Sequence, residues 1–434
     1  MTQNALAVRG VVSPGPAAAH RAWLGPAAGA FVVAWGANMF AALLQTYRAD
    51  LSEVQVLGLF GAYAVGLIPA LLIMARLSDR LGRRRVLVAA LVLAALGSAT
   101  ILLAHGAFAV ILTGRIIVGI SAGAAFGPAT AWIKELSDAT GPAGDGPRRA
   151  AIALTAGFAA GPLLSGAVVQ WLPSPQVTAY VMHLVLVAVA LPFVTRAPEP
   201  ATTRGTVDPG DADRGSLRSV LTSRIFLTAV VPTAPWVFGA ATVALAALPV
   251  LVPLGHYGPI GSGVAAAVTL GTGIAVQPWA RRLARRSTAA PFRAGVTAVI
   301  AGMLVAAATA ATASPVLLLT STVLLGSAYG FLLVSGLQLM ERLARRDDIA
   351  TLVAVFYALT YVGFAFPVLV QELGGLWSPA LVLTGASGLG LLAMVATLFA
   401  WPPLRGVAQL RAGHLPGRRS HPTAGAVAGD LGRR

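Results

Sequence analysis

Arg115 is the one arginine set well inside an apolar stretch, in TGRIIVGISAG, with Gly119 and Gly123 following at four-residue steps. A guanidinium in hydrocarbon costs about 2.5 to 17 kcal/mol depending on the reference state, so it needs partners. Two placements satisfy it: the side chain snorkels to the surface about eight residues away, or it turns into a bundle interior and bonds there. Other groups able to do chemistry in apolar surroundings are few. His183 and Glu372 are titratable, and a carboxyl disfavoured in its charged form by burial can take up and release a proton. Asn38 and Gln45 lie seven residues apart, hence on one helical face, where they either line a cavity or tie two helices together. Aromatic residues gather in two stretches, with Trp236 in one and Tyr357, Tyr361 and Phe364 at helical spacing in the other; they form either an aromatic wall suited to an amphiphilic or cationic molecule or packing between helices.

The chemistry that is absent bounds the reading as firmly. The chain has no cysteine, so disulfides, thiolate metal sites and cysteine nucleophiles are excluded. It carries no HExxH, no P-loop and no pair of aspartate-rich motifs, and neither a cofactor, a metal nor a catalysed reaction is expected.

Of 434 residues, 57% are hydrophobic and 11% are charged, and the mean hydropathy is +0.78. Ordinary soluble domains carry about 25% charged residues. Apolar runs long enough to cross a bilayer as helices recur at 24–47, 54–75, 86–104, 107–133, 150–172, 178–195, 225–252, 259–280, 293–313, 315–341, 350–371 and 378–401. They are too long and too rich in Ala and Leu for the alternating strands of a barrel, so the fold class is all-α polytopic, with twelve transmembrane helices.

The net charge of +16 does not point to nucleic acid, because its basic residues sort by loop. If the N-terminus is cytoplasmic, the short loops on that side hold sixteen Arg or Lys, clustered at 76–85, 134–149, 281–293 and 342–346, and the short outer loops hold only Arg48. By the positive-inside rule both termini are cytoplasmic. The first twenty residues lack the apolar core of a cleaved signal peptide, so the first span serves as an uncleaved insertion signal.

The expected organisation is a tail at 1–23, a six-helix bundle at 24–195, a polar linker at 196–224, a second six-helix bundle at 225–401 and a basic tail at 402–434. The halves repeat one another. ALTAGFAAGP at 153–162 matches ALTYVGFAFP at 358–367, and RLSDRLGRRR at 76–85 matches PWARRLARRS at 278–287. More weakly, Gly119, Gly123 and Glu135 recur as Gly326, Gly330 and Glu341. A duplicated bundle of this kind points to a site between its halves, reached alternately from each side.

Asp79-Arg80-Leu81-Gly82-Arg83-Arg84, between the second and third spans, resembles the loop signature G-x-x-x-D-R-x-G-R-[KR] of the major facilitator superfamily, with Ala75 in place of the first Gly. Gly157, Gly161, Pro162 and Gly166 in the fifth span resemble the G-x-x-x-G-P-x-x-G-G antiporter signature, with Ser165 for the penultimate Gly. Arg115-x-x-x-Gly119-x-x-x-Gly123 is similar to the fourth-span motif of proton-coupled members, with Val118 where Gln is frequent. The resemblance implies a twelve-helix drug:proton antiporter of the bacterial inner membrane: a monomer in the lipid bilayer that exports a small amphiphilic molecule in exchange for protons. Asp79, Arg80, Gly82, Arg83, Arg84 and the fifth-span residues are implied to govern conformational change, Asp79 acting as a latch near the start of the eleventh span at Ile349 and Ala350. Arg115, Glu372 and His183 are the candidates for proton coupling, and no carboxyl lies in mid-span. The alternatives are an importer or facilitator of a small nutrient and, from another class, a non-transporting receptor on the same fold.

Overall fold

The computed structural model describes residues 21–139, 145–199, 217–343 and 346–401. Among these residues all regular structure is helical, and twelve helices are long and apolar enough to cross a membrane. In the first half these are α1 (Leu24–Tyr47), α2 (Glu53–Leu81), α3 (Arg83–Leu102), α4 (Phe108–Asp138), α5 (Asp145–Trp171) and α6 (Pro175–Arg196). In the second they are α7 (Phe226–Leu251), α8 (Gly258–Ala275, continued by Gln277–Arg286), α9 (Ala289–Thr312), α10 (Pro315–Leu343), α11 (Arg346–Tyr361, Val362–Ala365 and Phe366–Leu376) and α12 (Pro379–Ala400). The tails before residue 21 and after 401, and the linker from 200 to 216, lie outside the described residues.

The twelve-helix expectation holds, and the helix ends depart from it. Taking charges as breaks puts these ends at 75, 133, 150, 280 and 350, whereas α2 runs on to Leu81, α4 to Asp138 and α8 to Arg286, α5 begins at Asp145 and α11 at Arg346. Arginine is a good helix former, and a helix leaving hydrocarbon keeps its backbone bonds while its charged heads reach water, so charge alone does not stop it.

At three ends or breaks a specific residue is responsible. Ser52 caps α2 through a reciprocal capping box with Gln55. Gly82 ends α2 at φ +94°, a conformation that a side chain makes costly. In α11 the chain tightens into a 3₁₀ turn over Val362–Ala365, where the ring of Pro367 would clash with the carbonyl of Gly363 in a regular α-helix. Its counterpart Pro162 leaves α5 one continuous α-helix.

Helices α1 to α6 pack among themselves and α7 to α12 do likewise; the halves meet through α5 and α1 against α8 and through α2 against α11. Within each half the closest packing uses glycine. Side chains at Gly66, Gly119 or Gly123 would collide with the facing backbone, at Ile116, Tyr63 and Leu67 respectively, so α2 and α4 touch main chain to main chain. Gly326 and Gly330 of α10 press in the same way on Thr269 and Gly273 of α8, giving physical content to the weakest of the three repeat matches.

Gly119→Leu must push α2 and α4 apart and is expected to cost about 3 kcal/mol or more, read as a lowered unfolding midpoint in detergent. Gly58→Leu on the same helix pair, where an added Cβ meets nothing within 4 Å, leaves that midpoint unchanged.

Candidate substrate pathway and gate

Arg115 sits one turn before Gly119, on the face of α4 that touches α2. Its side chain is 1% exposed. Nε donates to the carbonyl of Leu59 at 3.1 Å and Nη2 to that of Phe60 at 3.2 Å. The guanidinium also lies over the rings of Phe40, at 4.4 Å, and Tyr63, at 5.2 Å. Hydrogen bonds to a charged donor contribute about 1.5–3 kcal/mol each and a desolvated cation–π contact about 2. The snorkelling placement is therefore excluded: the charge is held inside by helix carbonyls and aromatic faces, and no carboxylate is paired with it among the described residues.

The same stretch of α2 makes the contact between halves. Phe60 stacks on Phe364 of α11 at 5.4 Å, Tyr63 meets Phe364 at 5.5 Å, and the hydroxyls of Tyr63 and Tyr361 are 3.3 Å apart. Behind them Phe238 of α7 stacks on Tyr361 at 4.6 Å and approaches Tyr329 of α10 at 5.9 Å. Tyr357, half-buried, continues the row 6.5 Å from Tyr361. Such ring pairs add about 0.5–1.5 kcal/mol each beyond area burial. No ion pair crosses this seam among the described residues, so parting α2 from α11 breaks ring contacts and one weak hydrogen bond without stranding a charge.

Towards the end where α1 finishes and α2 starts, the seam tightens. Gln45 Nε2 donates to Ser262 Oγ at 2.7 Å and to the Gly258 carbonyl at 3.4 Å, so this amide ties α1 to α8 across the halves. Gly166 of α5 leaves room only for Pro259 and Gly263 of α8, and Gly263 in turn faces the Pro162 carbonyl. Gly157 and Gly161 serve a different neighbour, the backbone of α1 at Phe31 and Trp35. The fifth-span motif thus seats α5 against α1 with its first two glycines and against the other half with its last.

At the opposite, basic end, Arg83 reaches Glu135 of α4 at 3.2 Å and Ser78 Oγ at 2.8 Å. Arg84 binds Glu199, by its backbone N–H at 3.3 Å and its guanidinium at 3.7 Å. A Cβ on Gly82 would collide with that same carboxylate. Arg80 is exposed. The side chains of Asp79, Ile349 and Ala350, on which the latch expectation rests, lie outside the described residues.

A sequence profile of the Major Facilitator Superfamily matches residues 27–368. The chain belongs to the major facilitator superfamily. Solved structures with the same fold include a variant of the nucleoside transporter NupG, at 12% identity and TM-score 0.68, covering 88% of this chain and all of that one. A POT family transporter in complex with 5-aminolevulinic acid is 12% identical at TM-score 0.64, covering 87% of this chain and 95% of that one. No curated protein sequence matches.

Within this transporter fold, several expected site residues stand apart from the seam. His183 is fully buried, with Nδ1 2.8 Å from Ser98 Oγ and Nε2 3.2 Å from the Val32 carbonyl, so both ring nitrogens are occupied in tying α6 to α3 and α1. Glu372 lies exposed at the end of α11. Trp236 packs against Phe366 at 5.1 Å and lines a groove of about 640 Å³ with Met303 of α9 and Leu383 of α12. Asn38 is half-buried and bonds only the Ala34 carbonyl of its own helix, at 3.4 Å, among the described residues.

Phe60 and Tyr63 are what the sequence reading missed. Their signal was available, since they stand three apart and Tyr63 precedes Gly66 by three on one helical face. Arg115→Ala leaves α2 without its two side-chain donors, and transport in proteoliposomes is expected to fall at least about tenfold with normal insertion and helix content. Undiminished flux would reduce the arginine to a packing residue.

Proposed function

We propose that this protein is a secondary transporter that exports a small, planar amphiphile, neutral or cationic, from the cytoplasm by alternating access, in exchange for protons. The observation that carries the substrate class is the composition of the seam: Phe60, Tyr63, Phe238, Tyr329, Tyr361 and Phe364 supply ring faces, and among the described residues no carboxylate pairs within it. Ring faces favour flat or cationic molecules and provide little to attract a strongly hydrated anion.

The helix arrangement together with the family motifs supports this direction and coupling. The cross-half hydrogen bonds and ring contacts between described residues run from the non-basic end to mid-depth, so this conformation is closed there. With the basic loops and both termini placed in the cytoplasm of a bacterial inner membrane, the protein faces inward, ready to load from that side. The cytoplasmic latch would use Asp79, and the half-buried Asn38 and Tyr357 would border the open cavity. The fifth-span signature supports export. Proton coupling would act through Arg115 and the hydroxyls near it, with Glu372 as an alternative carrier and His183 least suited. A monomer suffices for this cycle.

Uptake of a small nutrient is the second reading, favoured by the nucleoside transporter among the structures of the same fold. Proteoliposome flux over a panel of planar amphiphiles and nucleosides, with and without an imposed pH gradient, separates these. Concentrative flux of a planar amphiphile that disappears when the gradient is collapsed is expected, and in cells the same compound is extruded. Concentrative flux that persists would rule out proton exchange, and cellular accumulation would reverse the direction.

A further inference from the structure

The repeat relating the halves also isolates a difference between them. Offset by 202 residues, Arg80, Leu81, Gly82, Arg83 and Arg84 correspond to Arg282, Leu283, Ala284, Arg285 and Arg286. In the first half, Gly82 at φ +94° turns the chain, and the two arginines after it fold onto Glu135 and Glu199. In the second half alanine stands at the turning position. Its Cβ makes a positive φ costly, so the helix continues to Arg286.

That continuation, Gln277–Arg286, has two distinct sides. Ala280 and Ala284 are buried, and the segment packs on α9 and α10. Arg281, Arg282, Arg285 and Arg286 are all exposed, and Trp279 is 54% exposed beside them. Glu341, which repeats Glu135, is itself exposed, and none of the four arginines forms an ion pair among the described residues. Four cations therefore share about two helical turns, and Arg285 and Arg286 lack the carboxylates that their counterparts Arg83 and Arg84 hold.

We propose that this extension is a binding surface for anionic phospholipid. It emerges where α8 leaves the hydrocarbon and runs about 15 Å, enough to pass through the headgroup layer. Trp279 has the amphipathic character of an interfacial anchor, and the arginine stems can follow the acyl boundary while their heads meet lipid phosphates. A soluble phosphate would answer the charge but leave the exposed indole unused, which decides for the lipid. Each basic residue near an anionic membrane surface strengthens attraction about fivefold, so a cluster of four discriminates strongly between anionic and zwitterionic lipid. The surface belongs to the second half alone, and bound lipid would hold that half at the interface while the other moves.

Because the chain has no cysteine, Ser287→Cys gives a single labelling site next to the cluster. The labelled full-length protein is placed in nanodiscs containing equal mole fractions of spin-labelled phosphatidylglycerol or spin-labelled phosphatidylcholine, and quenching of the fluorophore is compared. Phosphatidylglycerol is expected to be enriched about fivefold or more over phosphatidylcholine. The preference should disappear when all four arginines become Gln and persist when all four become Lys. Equal quenching by the two lipids in the otherwise unaltered protein would overturn the proposal, as would a preference that survives the Gln variant or is lost in the Lys variant.

Discussion

The backbone-to-backbone contact between α2 and α4, fastened by Arg115, is the constraint from which the rest of this structure follows. Gly66, Gly119 and Gly123 remove the side chains that would keep the two helices apart. Only at that separation can a guanidinium one turn away reach two carbonyls of the facing helix. The spacing of arginine and glycines in steps of four is therefore one geometric device: close approach, then a charged clamp on the exposed backbone. Because the clamped carbonyls belong to Leu59 and Phe60, the device also fixes the rotation of α2 that points Phe60 and Tyr63 at the other half.

The second half repeats the glycine contact without the clamp. Gly273, Gly326 and Gly330 bring α8 and α10 together as their counterparts do α2 and α4. At the position matching Arg115 stands Thr322, buried and bonded to the Leu319 carbonyl of its own helix. A similar asymmetry appears at the basic end, where Gly82 turns the chain and Ala284 does not. The duplicated architecture thus supplies packing to both halves, while charge is assigned to each half separately. This arrangement suits a machine whose halves rock as bodies but carry different chemistry, with the cation behind one side of the seam and the larger share of aromatic rings, from α7, α10 and α11, on the other.

Much of this was legible in the sequence because the bilayer demands it. Twelve apolar runs, the loop bias of the arginines and the glycine steps in α4 and α5 are direct consequences of spanning hydrocarbon and packing tightly within it. The partners of Arg115 were not legible, since backbone carbonyls carry no residue signature. Gln45 shows the limit of a face argument: its place beside Asn38 on α1 was readable, but the hydroxyl of Ser262 that claims it comes from a helix more than two hundred residues away. The helix ends were misjudged for a related reason, because arginine marks the edge of hydrocarbon and not the edge of a helix. His183 looked titratable in sequence, and three-dimensional packing gave each ring nitrogen an uncharged partner.

The central claim is that Arg115, by holding α2 in place, keeps the seam between α2 and α11 closed in this conformation. The absence of cysteine allows nitroxides at Val54→Cys and Leu376→Cys, two exposed positions at the closed ends of α2 and α11, to report that gap by electron–electron distance measurement in nanodiscs. The account predicts a short, narrow distance distribution with Arg115 present and a shift of population to longer, broader distances in Arg115→Ala. An identical distribution in both proteins would contradict it.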